Sequence, residues 1–208
     1  MSLYVQYGAG LCGPTGWRNY DASPSLWLQR MPVCGFAFRG VGPAFPSTVQ
    51  YGDIVKGLPV APRTCDAIYC SHILEHLSRS DCSTALRNTF SYLKPSGCFR
   101  LCLPDLEQLA RDYLANGTAT AASVFMEDSY LGTQSRPRGL VGLLRQFLGN
   151  SKHLWMWDYK SMQQELVAAG FVEVRRAAPR DSNDPHFDEV EDPSRWRNNL
   201  GIECFRPA

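Results

Sequence analysis

Cys-Asp-Ala-Ile-Tyr-Cys-Ser-His-Ile-Leu-Glu-His-Leu, residues Cys65–Leu77, decides the fold. Asp66–Cys70 is short, mostly apolar and partly β-branched, which suits a strand buried on both faces of a parallel sheet. His72, Glu75 and His76 then fall where the strand gives way to a loop or helical turn. The carboxyl end of a parallel strand is where open α/β sheets hold their ligands. The same residues spell His-x-x-Glu-His, a metallopeptidase pattern with two zinc-binding histidines and a glutamate base. One stretch therefore supports two unrelated chemistries, and the rest of the chain must separate them.

Upstream lie three further strands, at Leu3–Tyr7, Trp17–Asp21 and Thr48–Tyr51. The gap between the first two is too short for an ordinary crossover helix. Ser25–Arg30 starts a short helix that prolines and glycines soon break up. Downstream, Ser78 or Ser80 caps a helix with Ala85, Leu86, Phe90 and Leu93 on one face, and Lys94-Pro95-Ser96-Gly97 stops it. A fifth strand covers Cys98–Leu103. Asp105 caps a helix over Leu106–Ala115, and Asp158 caps another that runs to Ala169. Val172–Ala177 and Leu200–Phe205 read as an antiparallel pair with a long connection. Parallel strands with helices on their faces make a doubly wound, Rossmann-like α/β sheet, mostly parallel, with an antiparallel C-terminal strand. The reading is a single domain over residues 1–208, with a lid or substrate insertion at about 118–152 that includes a short helix at Leu140–Leu148.

The chain has 208 residues, 44% of them apolar, enough to fill one core without a disulfide or metal staple. Net charge is +1 without blocks of like charge, so neither nucleic acid nor an acidic membrane is favoured as a partner. The N-terminus lacks a basic region and a long apolar run, and no run approaches a membrane span. The eight cysteines contain no Cys-x-x-Cys pair. Several sit in strand-like apolar runs, as reduced structural thiols of a cytoplasmic protein would.

Gly8-Ala9-Gly10 directly follows a strand, where glycine lets a ligand approach the backbone. Asp21 ends the second strand, placed to accept both hydroxyls of a ribose. Asp53 follows the third strand, placed to accept a bond from an exocyclic amine while the Ile54 amide meets a ring nitrogen. Further on, His153, Trp155, Trp157 and Asp158 form a second constellation: a histidine that titrates near neutrality as a candidate base, and two indoles to wall a pocket. His186 lies in a polar loop with Asp184, Asp188 and Glu189. Arg136, Arg138 and Arg145 offer charge to an anionic group, or are simply solvated.

Gly16-Trp17-Arg18-Asn19-Tyr20-Asp21, Ser71-His72-Ile73-Leu74-Glu75-His76-Leu77, Leu93-Lys94-Pro95-Ser96-Gly97, Leu103-Pro104-Asp105-Leu106 and Ala168-Ala169-Gly170-Phe171 occur together in this order. The chain thereby resembles the small class I S-adenosylmethionine-dependent methyltransferases of the type 11 group. The resemblance implies transfer of a methyl group from S-adenosyl-L-methionine, leaving S-adenosyl-L-homocysteine. The acceptor would be an oxygen or nitrogen of a small molecule, a sugar or secondary metabolite. It implies a cofactor site of Tyr7, Gly8, Ala9, Gly10, Asp21, Asp53, Ile54, Ser71 and His72, with no metal. His153 and His72 are the catalytic candidates, and Trp155, Trp157 and His186 the substrate-binding ones. Gln6 departs from the family, which often has an acid there, and Cys12 stands where a third glycine is usual. Two other readings remain: a protein of this fold that binds without methylating, and a zinc hydrolase working through His72-x-x-Glu75-His76. The oligomeric state, monomer or homodimer, stays open.

Overall fold

A computed structural model describes residues 2–32, 43–134 and 152–208. The seven strands β1 (Tyr4–Tyr7), β2 (Trp17–Asp21), β3 (Val49–Tyr51), β4 (Cys65–Ser71), β5 (Leu93–Pro104), β6 (Val172–Ala177) and β7 (Asn199–Phe205) form one sheet in the order β3-β2-β1-β4-β5-β7-β6. The first five are parallel, and β7 runs antiparallel between β5 and β6. The order reverses at β1 and β4, whose carboxyl ends form the crevice where such sheets bind ligands.

Five helices accompany the described sheet: α1 (Pro24–Gln29), α2 (Arg79–Tyr92), α3 (Leu106–Ala115), α4 (Ala121–Asp128) and α5 (Tyr159–Ala168). Three caps fall where side-chain chemistry predicts them: Ser78 accepts from the Asp81 amide, Asp105 from Glu107, and Asp158 forms a reciprocal box with Ser161. Two elements differ from the sequence reading. β5 begins at Leu93, because Leu93 pairs with Cys65 before a register shift and the strand continues through Lys94–Gly97. α4 has no counterpart in the sequence reading; Ala121 is its only buried residue, and Val124 and Met126 stay exposed. The predicted helix at Leu140–Leu148 and the arginines 136, 138 and 145 lie outside the described residues.

Alternation along the strands assigns two faces. Val5, Tyr7, Ile68, Cys70, Phe99 and Leu101 pack beneath α2 and α5 in the main core. The opposite face carries Trp17, Ala67, Tyr69, Cys98 and Cys102. No helix joins β1 to β2, so from that connection only Cys12 is seen to pack against this second face. The long β6–β7 connection covers it instead, with Phe187, Val190 and Trp196 buried against the strands. The helix-free link itself is held by a buried pair: Gln6 Nε2 donates to Asn19 Oδ1 at 2.6 Å and to the Cys12 carbonyl at 2.9 Å, and Asn19 Nδ2 donates to the Pro14 carbonyl at 3.0 Å. Gln6 is thus committed to the fold.

Arg100, fully buried on β5, fastens the β6–β7 connection to the sheet. Its guanidinium donates to Glu191 at 2.7 Å, Asp181 at 2.8 Å, Glu203 at 2.9 Å and the Ala178 carbonyl at 2.9 Å. It also lies over the rings of Trp196 and Phe187. Burial alone would raise the Asp181 carboxyl, but bonds from Arg175, the Ala178 amide and Arg100 outweigh it and hold the pKa at about 2. The seven described cysteines are free thiols, and six are buried. Burial pushes the Cys65 thiol up to about 11 and those of Cys82 and Cys102 to about 12, so these are inert at neutral pH.

Arg100→Met leaves buried carboxylates without their cation and is expected to cost about 3–5 kcal/mol in urea unfolding. Asp181 is depressed when folded, so its contribution is full above about pH 4 and is lost as pH falls toward 2. Acid unfolding of Asp181→Asn should show a shallower loss of stability across that window than the unmodified chain.

Candidate functional site

Two cavities open at the carboxyl edge of the sheet, and they share a wall. The smaller, about 160 Å³, lies between the ends of β1, β2 and β3. It is bordered by Gly8, Asp21, Asp53 and Ile54 and closed by His72, Ile73 and His76. The larger, about 620 Å³, lies beyond that wall, toward α3. His72, Glu75, His76 and His153 form one side of it, with Tyr130 and Arg195 among the others.

The small cavity is made by backbone geometry. Gly8 and Gly10 both hold positive φ, +73° and +53°. A Cβ on Gly8 would stand 2.0 Å from Cγ1 of Ile73, whereas one on Gly10 would meet nothing within 4 Å. Asp21 is buried; its Oδ2 accepts from the Gly10 amide at 2.9 Å and its Oδ1 from the Ser23 amide at 2.8 Å and the Ser23 hydroxyl. The carboxylate therefore locks the glycine turn to the end of β2 while bordering the cavity. Asp53 caps its own turn through the Val55 amide at 2.9 Å and pairs with Lys56 at 3.2 Å. Ala9 packs with Leu26 and Val49, and the Tyr7 ring points into the main core, where its hydroxyl accepts from Thr89 at 3.2 Å. Ala9 and Tyr7 can meet a ligand only through backbone. The Ser71 hydroxyl is buried with no hydrogen-bond partner among the described residues.

Beyond Ser71 the chain turns sharply. His72 has φ of +54°, and Leu74–His76 is a single 3-10 turn. His72 and His76 consequently do not share a helical face, which removes the geometry that the His72-x-x-Glu75-His76 hydrolase requires. His72 Nε2 donates to the Arg195 carbonyl at 2.9 Å, and Arg195 Nη2 donates to the Ser71 carbonyl at 3.2 Å. The loop that covers the second face thus also sets the His72 ring. Glu75 has no exposed surface, and its carbonyl accepts from the amides of Leu154 and Trp155 at 2.7 and 3.2 Å. That clamp brings His153 beside Glu75, an approach between residues 75 and 153 that no local pattern announces. Burial lowers the His153 pKa below its ordinary 6.5, with the nearby Glu75 charge opposing, so the ring is neutral at pH 7.

Three predicted substrate residues stand elsewhere. Trp157 is core: it is buried, and its carbonyl accepts from the Leu106 amide at 2.8 Å. Trp155 is half exposed in a shallow groove beside Arg79, away from the histidines. His186 pairs with Asp184 at 2.7 Å and stacks on Tyr4 at 4.2 Å, at the amino end of β1 and the far edge of the sheet. Ile73, Ser23, Asp128 and Tyr130 border the cavities without having been singled out. Ser23, Asp128 and Tyr130 belong to no motif that the sequence marks out.

Residues 37–101 match the family model described as a methyltransferase domain, a span that includes β3, β4, α2 and most of β5. The S-adenosylmethionine-dependent methyltransferase SibL, in its apo form, is 14% identical, with a TM-score of 0.50 over all of this chain and 51% of its own. The chain has the class I methyltransferase fold. A "possible exported protein" from Bordetella parapertussis gives a TM-score of 0.51 at 12% identity over all of this chain and 62% of its own. Phosphoethanolamine N-methyltransferase 2 of Haemonchus contortus, solved with S-adenosyl-L-methionine, gives 0.49 at 11% over all of this chain and 50% of its own. The chain thus spans between half and two thirds of these three proteins. No curated protein matches the sequence. Among the described residues, no helix is long and apolar enough to cross a membrane.

Gly8→Ala should destabilise the fold through two separable effects, contact with Ile73 and strain at positive φ, the latter about 1–2 kcal/mol. In thermal or urea unfolding, Gly8→Ala with Ile73→Ala should recover the contact part and leave the backbone part.

Proposed function

We propose that the chain is a methyltransferase that holds S-adenosyl-L-methionine in the small cavity and a small-molecule acceptor in the large one. The observation that carries this reading is the shared wall: His72 and His76 border both spaces, so a group bound in one lies next to a group bound in the other. The fold and the family match over residues 37–101 support it. The residues fit the cofactor. Gly8 and Gly10 give backbone access for its amino acid part, Asp21 stands where a ribose ends, and Asp53 with the Ile54 amide borders the place for adenine. Ser71 and His72 meet the methionine end. In the ligand-free chain Ile73 fills the space over Gly8, and the cavity is smaller than the roughly 300 Å³ of typical ligand sites. Binding therefore requires the Ile73 side chain to swing away.

When bound, the cofactor supplies an electrophilic methyl on a sulfonium. The protein's share is alignment, exclusion of water and removal of a proton. The acceptor is an oxygen or nitrogen nucleophile of a small molecule. His153 borders its cavity as a neutral ring and can take the proton that the acceptor loses; His72, the other catalytic candidate, has Nε2 on the Arg195 carbonyl and Nδ1 facing Glu75 at 3.4 Å, which leaves it to position the wall. Tyr130, whose ring centre lies 5.0 Å from that of His153, and Asp128 support an acceptor-facing role for the insertion at 118–152, of which residues 135–151 lie outside the described structure. On this reading the described residues are one domain around the seven-stranded sheet.

Calorimetry with S-adenosylmethionine and S-adenosylhomocysteine tests the reading: saturable binding of either supports it, and no binding at millimolar concentration leaves a protein that keeps the fold without the activity. Asp21→Ala removes a charged acceptor and is expected to weaken binding by about 1.5–3 kcal/mol. Unchanged affinity takes Asp21 out of the site. With an acceptor in hand, His153→Ala should lower turnover by about 10²–10⁴-fold while S-adenosylhomocysteine binds as before.

A further inference from the structure

Glu75 buries a carboxyl group that the described residues leave unpartnered. It is fully buried, and neither carboxylate oxygen has a hydrogen-bond partner among the described residues. An ionised carboxylate in that position is strongly disfavoured unless a cation stands beside it. His72 Nδ1 lies 3.4 Å from Oε1. Because His72 Nε2 must be the donor to the Arg195 carbonyl, the Nδ1 of a neutral His72 carries a lone pair toward a carboxylate. Two acceptors face each other there, with room for a positive charge nearby.

Glu75, His76 and His153 each offer one ligand atom, and the three atoms lie within 4.8 Å of one another. We propose that these three residues form a binding site for a divalent transition-metal ion of the zinc class, open toward the 620 Å³ cavity. One carboxylate oxygen and two imidazole nitrogens are the donor set of catalytic zinc and of other metal sites that keep open positions. Bonds of about 2.0–2.2 Å would draw the donors to within roughly 3–3.5 Å of one another, a contraction that small ring rotations supply. The support around the ligands is in place. His76 Nδ1 donates to the Lys152 carbonyl at 3.0 Å, which leaves Nε2 with its lone pair, the arrangement of metal-binding histidines. The Leu154 and Trp155 amides bind the Glu75 carbonyl, so the segments bearing the ligands are tied together without the ion. The His76 and His153 rings meet edge-on with centres 4.9 Å apart.

The site stands apart from the methyltransferase reading, since its ligands suffice to bind an ion without any cofactor. If both hold, the ion sits on the wall between the two cavities, its open positions available to an oxygen or nitrogen of the acceptor. His153 is then a ligand and not a base.

Full-length protein stripped with a chelator and titrated with Zn²⁺ by calorimetry, and with Co²⁺ by absorption, tests the proposal. One ion should bind per chain, and the cobalt spectrum should lack a thiolate-to-metal band. Loss of an outer-shell partner alone typically weakens a metal site 10–100-fold, so His153→Ala and Glu75→Gln should each weaken binding by about 100-fold or more. Cys12→Ser should bind as the unmodified chain. His76→Ala, at a partly exposed position, gives the same measurement if Glu75→Gln fails to fold. Absence of saturable binding, a thiolate band, or unchanged affinity in folded His76→Ala and His153→Ala would overturn the proposal. S-adenosylhomocysteine titrated into the same samples separates the two readings: cofactor binding without zinc binding removes only the metal site, and the converse removes only the methyltransferase.

Discussion

Arg100 is the point on which the second face of the sheet depends. A parallel sheet must be covered on both sides. The helix-free link between β1 and β2 offers one side no helix and little beyond Cys12. The chain solves this with a loop, and a loop of mostly polar sequence has little apolar area with which to hold itself down. The Arg100 guanidinium supplies the attachment, donating to three carboxylates and a carbonyl of the β6–β7 hairpin and lying over two of its buried rings. Such a cluster contributes less net stability than its number of bonds suggests, because every charge was taken out of water. Its effect is positional.

That position reaches the site. The fastened loop carries Arg195, whose carbonyl accepts from His72 and whose guanidinium holds the end of β4. On the other side, the Glu75 carbonyl clamps Leu154 and Trp155 and so delivers His153. The wall between the cavities is thus built from a strand end, a 3-10 turn and two distant loops, each held by backbone bonds. Chemistry at this wall can vary with the loops while the sheet stays as it is.

Most of the fold was legible because its signals are local. β2, α3 and β6 have the bounds read from the sequence, α3 with Asp105 as its cap. The missing crossover could be counted directly from the gap between Tyr7 and Trp17. Cavity residues at strand ends, such as Gly8, Asp21 and Asp53, were also readable, since the sheet order decides where strand ends meet. What could not be read was side-chain direction and long-range approach. Trp157 looked like a pocket wall, but its pairing with Asp105 turns it into the core. His186 sits in a loop whose path over the second face takes it to the wrong edge. The meeting of Glu75 with His153 depends on a backbone clamp between segments remote in sequence, which leaves no periodic trace.

The central claim is that the small cavity holds the cofactor and delivers its reactive end to the wall of His72 and His76. A crystal structure with S-adenosylhomocysteine measures this most directly. The account predicts ribose hydroxyls on Asp21, Ile73 displaced from Gly8, and the sulfur facing the histidine wall with the larger cavity beyond it. A ligand bound elsewhere, or one whose sulfur points away from His72 while Ile73 stays over Gly8, would contradict it.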